Sequence, residues 1–388
     1  MKFIKNTLDK MRPNFEEGGK FYAFHSLFDA MDTFFLTPEA TTTSGCHIRD
    51  AVDNKRTMFT VVIALIPALL FGMYNIGYQH YLSEGVIAAG DYCANFWGNF
   101  GYGFLKLLPM ILVSYIVGLG IECIFAQVRK HEVSEGYFVT GMLIPLICPP
   151  DVPLWQLALA VAFAVIIGKE VFGGTGYNFL NPALVARAFL FFSYPIQMSG
   201  DTVWIAAQGD AISGATPLGE MIAGAAQPSA SVLDMIIGFM PGSVGETSVI
   251  AILIGALILL VTGVASWRIM LSIFVGGAAM GLIFNAVGAN EYMTMPFYYH
   301  FLMGGFMFGA VFMATDPVTA AHTNTGKYIY GFLIGVMAVL IRVVNPAYPE
   351  GMMLAILLLN VFAPLIDYYV VDANIRKRAK RAKLVSNK

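Results

Sequence analysis

The chain has 388 residues, of which 57% are hydrophobic and 12% charged, with a net charge of −2 and a mean hydropathy of +0.68. Soluble domains carry about 25% charged residues, so this composition excludes a soluble fold and indicates a polytopic membrane protein. The acidic balance excludes the electrostatic footprint of a nucleic-acid binder.

Residues 1–56 are polar and aromatic with charges throughout, lack the apolar core of a signal peptide and read as a cytoplasmic arm. Apolar stretches then follow at 58–77, 104–127, 137–148, 154–168 and 180–196, and a second group at 248–265, 269–287, 297–314, 328–344 and 352–369. The expected fold is all-α and polytopic, with about ten transmembrane helices in two five-helix repeats, transporter-like with broken helices. Its parts are the arm 1–56, a first repeat 57–197, a loop 198–247, a second repeat 248–371 and a basic tail 372–388. Pro145, Pro149, Pro150 and Pro153 interrupt the third and fourth stretches, and Pro346 and Pro349 separate the ninth from the tenth. Non-helical backbone at membrane depth survives only around a protein-lined or watery cavity, so paired interruptions in the two halves point to a central site. Short echoes between the halves suggest duplication and leave its symmetry open.

Orientation follows from Lys and Arg, which cytoplasmic loops retain. The connections 78–103, 149–153, 197–247, 288–296 and 345–351 have none, whereas alternate connections carry Arg129 and Lys130, Lys169, Arg268 and Lys327, and the tail is densely basic. Both termini are therefore expected in the cytoplasm and the 198–247 loop outside. Trp155, Trp267 and Tyr368 suit interfacial anchors, and the tail suits contact with anionic membrane lipid.

An ionisable side chain in hydrocarbon costs roughly 2.5–3.5 kcal/mol on insertion scales, which makes it a functional candidate. Glu122 in the second stretch, Asp316 at the end of the eighth, Arg342 near the end of the ninth and Asp367 in the tenth qualify. The plain alternative for each is a structural ion pair or a snorkelling side chain. Gly118 and Gly120 lie within a stretch, where close helix packing is the first explanation. Cys46, Cys93, Cys123 and Cys148 have neither CxxC nor metal-ligand spacing, and the six histidines lack bis-His spacing, so no metal or haem is expected.

In the outer loop lies Asp210-Ala211-Ile212-Ser213-Gly214-Ala215-Thr216, followed by Pro217. Gly214 and Ala215 leave the backbone before the Thr216 hydroxyl unobstructed, Asp210 and Ser213 favour a turn, and Pro217 stiffens the chain after it. Taken alone the run reads first as an ordinary polar turn. It resembles the motif at which bacterial flavin transferases attach FMN, through a phosphoester, to the final threonine.

Gly173-Gly174-Thr175-Gly176-Tyr177-Asn178-Phe179-Leu180-Asn181-Pro182-Ala183, Phe312-Met313-Ala314-Thr315-Asp316-Pro317-Val318, the segment from Leu340 to Met353, and Pro241-Gly242-Ser243-Val244-Gly245-Glu246 extend the resemblance over essentially the whole chain. They are similar to the NqrB family, the B-type membrane subunits of bacterial sodium-translocating NADH:quinone reductases. That resemblance implies a translocase subunit in the bacterial inner membrane, in a complex with five other subunits. It further implies covalent FMN on Thr216, riboflavin after it, quinone as the electron acceptor, Na+ as the exported ion, and a flavin transferase that matures the protein. It places the quinone pocket at Gly118, Gly120 and Glu122, although the family's glycines are usually adjacent and Leu119 intervenes here. Asn178 and Glu246, in shared segments, join Asp316, Asp367 and Arg342 as candidates for the ion path. The related RnfD proteins of Rnf-type ferredoxin:NAD oxidoreductases share the flavin motif and the spans, usually without so long an arm. A channel or secondary transporter without redox function is the alternative of another class.

Overall fold

The computed structural model describes the chain apart from residues 1, 17, 23–24, 26–27, 29–31, 33–35, 37–41, 49–52, 89, 130–132, 134–135, 202, 207–213, 226, 346–349 and 387–388, and without side-chain detail at 2–4 and 384–386. Asp210 and Ser213 thus lie outside the described residues.

The helices are α1 (Lys2–Met11), α2 (Asn54–Ser83), α3 (Phe96–Arg129), α4 (Gly136–Ile147), α5 (Leu154–Ile166), α6 (Pro182–Ser193), α7 (Pro217–Ile222) and α8 (Val232–Ile237). The second half comprises α9 (Val249–Val261), α10 (Trp267–Val287), α11 (Glu291–Thr294), α12 (Tyr299–Leu302), α13 (Phe306–Phe308), which runs on as a π turn over Gly309–Met313, α14 (Asn324–Val344) and α15 (Met352–Ser386). Local chemistry sets several starts: Asp53, Asn181, Thr216, Ser231, Ser248 and Thr323 each accept a backbone N–H of the helix that follows. At α8, Ser231 and Asp234 form a reciprocal capping box. Hydrogen bonds from Ser231 and from Tyr92 hold the Asp234 carboxyl below its ordinary pKa and tie this loop to the 84–95 connection.

Six helical segments are long and apolar enough to cross a membrane: Asn54–Ser83, Phe96–Arg129, Leu154–Phe172, Trp267–Val287, Asn324–Val344 and Met352–Lys383. The protein is a polytopic helical membrane protein. On α3 the division of labour is visible, since Leu107, Met110, Ser114, Gly118 and Glu122 are buried along one stripe while Leu105, Leu112, Ile116 and Ile124 face outward. A spacing of three and four residues places each set on one side of the helix, and the outward apolar stripe suits lipid.

Of the other four expected spans, the third is as short as its stretch 137–148, and the fifth, sixth and eighth are shorter or broken. α4, α6 and α9 have 12, 12 and 13 residues, about 18–20 Å at 1.5 Å per residue, against a hydrocarbon core of about 30 Å. The fifth stretch, read over 180–196, is helical only from Pro182, which opens α6, to Ser193, before Pro195. The eighth, read over 297–314, breaks at Gly304 and Gly305. Gly304 adopts a φ of +63°, and a side chain there would be strained; a Cβ on Gly305 would press on the Glu246 carboxylate.

Several contacts of the first half have counterparts in the second, although α2 packs closely on α3 and α9 makes no comparable contact with α10. α3 packs on α5 as α10 packs on α14, α5 on α6 as α14 on α15, and α4 nestles against α2, α3 and α6 as the broken segment 299–313 does against α9, α10 and α15. Counterparts also meet across the middle, α2 with α9 and α6 with α15.

Candidate functional site

α6 joins two polar cavities. Asn181 caps its start by accepting the Ala183 N–H at 3.0 Å, and Arg187 lies six residues on, about 9 Å along the axis.

The larger cavity, about 260 Å³, lies at the far end and is lined among others by Thr216, Pro217, Trp204, Phe191, Arg187 and Glu246. Its size approaches the ~300 Å³ lower bound of small-molecule pockets. Thr216 is half-buried, and its Oγ1 accepts the Gly219 N–H at 3.1 Å as the cap of α7. Gly214 is buried, its N–H bonded to the Asp201 carbonyl at 3.1 Å, and Ala215 is half-buried. The cavity carries a buried charge cluster. Arg187 donates to Ser243 Oγ at 3.3 Å, lies 3.4 Å from Glu246 Oε1, and pairs with Glu350. Burial pushes the Glu246 carboxyl above its ordinary pKa, against the opposing pull of Arg187.

Arg342 sits behind this cluster, fully buried. It donates to the carbonyls of His300 at 2.5 Å, Met303 at 3.0 Å and Glu350 at 3.0 Å. The guanidinium thereby satisfies carbonyls at the α12 break and in the turn before α15.

The smaller cavity, at the start of α6, is lined among others by Thr140, Lys169, Asn178, Asn181, Thr315 and Asp316. Asp316 Oδ2 accepts from Thr319 Oγ1 at 2.9 Å and Asn181 Nδ2 at 3.4 Å, and Oδ1 from the Val318 N–H at 3.1 Å. Lys169 forms a buried ion pair with Glu122. Alongside, Arg129 pairs with Glu170 at 3.3 Å and donates to its carbonyl at 2.8 Å.

The structure therefore brings Thr216 and Glu246 together at one cavity, and Asp316, Asn178 and, through Lys169, Glu122 at the other. Gly118 shares the buried face of Glu122 and packs on the Tyr137 ring, whereas Gly120 is exposed on another side of α3. Asp367 lies at neither cavity: it accepts the N–H groups of His322 and Thr323 at 2.6 and 3.0 Å. Sequence reasoning passed over Arg187 and Glu350, and used Lys169 only as a marker of orientation. A lone Arg in the middle of an apolar stretch was the available signal for Arg187. Among the described residues no cluster of His, Cys, Asp and Glu is arranged to hold a metal ion.

Fold and cavities together define a multi-pass helical membrane protein with two polar chambers set in an apolar bundle. The sequence profile described as the NQR2, RnfD, RnfE family matches residues 41–376. The chain belongs to that family. It is 52% identical to the B-type subunit of the Na(+)-translocating NADH-quinone reductase of Chromohalobacter salexigens, over 97% of this chain and 96% of the relative. The proteins of the same description from Ectopseudomonas mendocina and Azotobacter vinelandii are 51% and 50% identical, each over 97% of this chain and 99% of the relative.

Proposed function

We propose that the chain is the B-type membrane subunit of a Na+-translocating NADH:quinone reductase, carrying FMN in phosphoester linkage on Thr216. The observation that carries the flavin reading is the position of Thr216 on the lining of a cavity of about 260 Å³ that is mixed in polarity. The residues fit the group: Trp204 and Phe191 offer apolar surface to a ring system, and Arg187 and Ser243 offer donors. When bound, FMN supplies the electron-transfer chemistry, and the protein supplies position, electrostatics and exclusion of water.

Loaded with flavin, the subunit would pass electrons on through riboflavin to quinone, with Glu122 the residue assigned to the quinone end. Na+ is the cargo, and Glu246, Arg342, Asn178, Asp316 and Asp367 are the candidates for its path. The other five subunits and a flavin transferase are the partners, and the bacterial inner membrane, with both termini cytoplasmic, is the location. Near-full-length similarity to B-type subunits of the NADH-quinone reductase supports this reading over an RnfD protein.

Produced with its flavin transferase, the denatured polypeptide is expected to fluoresce under ultraviolet light in a gel, and Thr216→Val to abolish the signal. A dark wild-type band would sink the assignment.

A further inference from the structure

The leg of the 198–247 loop that leads into the Asp210–Thr216 run is seated in the bundle. Val203, Trp204, Ile205 and Ala206 are between 1% and 9% exposed, and Trp204 forms part of the wall of the larger cavity. The Gly214 N–H closes the base of this leg on the Asp201 carbonyl at 3.1 Å. A peptide segment buried outside regular structure needs partners for its backbone groups. One comes from His80, in the last turn of α2, whose Nδ1 lies 2.9 Å from the Ala206 carbonyl oxygen. A carbonyl only accepts, so Nδ1 carries its hydrogen and donates.

The imidazole is fixed independently of the loop. Its ring lies flat on Tyr102 of α3, with centroids 4.0 Å apart and an interplanar angle of 3°, and Nε2 lies 3.4 Å from the Glu84 carboxylate one turn on. The stack sets the plane of the ring and the carboxylate sets its rotation in that plane, which together aim Nδ1 at the loop. We propose that His80 is a positioning residue for this loop: its Nδ1–H holds the Ala206 carbonyl and so fixes Trp204, two residues earlier, in the cavity wall that Thr216 shares. The contact joins residues 126 positions apart. It goes beyond the proposed function, because it concerns the seat of the polypeptide and holds with or without a flavin.

Two conservative variants separate the two ring nitrogens. In His80→Asn the side-chain amide falls where Nδ1 lies and keeps a donor for the Ala206 carbonyl. In His80→Gln the amide reaches the Nε2 position, keeps Glu84 as its partner and leaves the carbonyl without this donor. In the purified six-subunit complex, His80→Gln is expected to speed amide hydrogen exchange over residues 203–206 roughly tenfold, the weight of one hydrogen bond. It is also expected to raise hydroxyl-radical labelling of Trp204, both changes being read by mass spectrometry. His80→Asn is expected to match wild type in both readouts, and exchange in α14, the check on overall folding, to be unchanged in either variant. Equal exchange over residues 203–206 in the two variants, whether slow or fast, overturns the assignment. A dark wild-type band removes the flavin from Thr216 and does not touch this comparison.

Discussion

Glu122 and Lys169 show what one buried pair imposes on its surroundings. Both side chains are about 3% exposed, and burying an unpaired charge costs far more than burying a neutral group. Removing one partner of such a pair destabilises by about 3–5 kcal/mol, whereas removing both charges is often neutral. That asymmetry separates two roles for Glu122. Glu122→Gln is expected to lower the thermal-inactivation midpoint of the complex and to impair quinone reduction, with the fluorescent band intact. Adding Lys169→Met removes the partner charge and is expected to restore the midpoint but not turnover, because the group that the proposed function assigns to quinone reduction is still missing. If turnover returns together with stability, Glu122 serves only its partner, and the quinone assignment fails.

At the scale of elements, the start of α14 is built by two helices. Thr323 caps it locally, its Oγ1 accepting the Gly326 N–H at 3.1 Å, and Asp367 reaches over from α15 to take the N–H groups of His322 and Thr323 and the Thr323 hydroxyl. A lost cap costs about 0.5–2 kcal/mol. Asp367→Ala is therefore expected to speed amide hydrogen exchange over residues 323–327, with Asp367→Asn, which keeps an acceptor, falling between it and wild type. Unchanged exchange in Asp367→Ala would remove the capping role and leave the ion path as the reading for this carboxylate. The contrast between the caps also shows what the sequence makes legible. Thr216, followed at once by Pro217, is readable because cap, helix start and motif are contiguous; Asp367 lies 44 residues from the threonine it serves. Long apolar helices such as α3 are equally plain, since hydropathy averages over their whole length. That same averaging hides Arg187, a single charge in a 12-residue apolar helix, and it cannot reveal that Glu246 and Glu350 converge on it from two separate loops. The shortness of α6 and α9 was obscured for a related reason: the apolar run continues past the point where proline or glycine ends the helix.

For the whole molecule, the short and broken helices explain why the chambers form where they do. α4 and α6 of one half, and α9 with the broken 299–313 segment of the other, leave irregular backbone inside the bundle, and buried polar side chains satisfy it: Arg342 at the α12 break, Asn181 at the start of α6. Such an arrangement needs a firm frame, which the long helices supply through close glycine contacts. A Cβ on Gly335 of α14 would strike the Ile273 carbonyl and the Gly277 nitrogen of α10, backbone atoms that cannot swing aside. Gly120 of α3 faces open space instead. Overpacking a close contact costs about 1–3 kcal/mol, while Gly to Ala in an unobstructed helix interior gains roughly 0.5–1 kcal/mol. Gly335→Ala is accordingly expected to reduce the yield of assembled complex and its thermal-inactivation midpoint, and Gly120→Ala to leave both at wild-type levels or slightly higher. Where Gly120→Ala assembles at wild-type levels, a fall in its quinone turnover reports on the surface that Gly120 presents rather than on folding. Equal midpoints for the two variants would show that the α10–α14 contact is not the frame that holds the second half together.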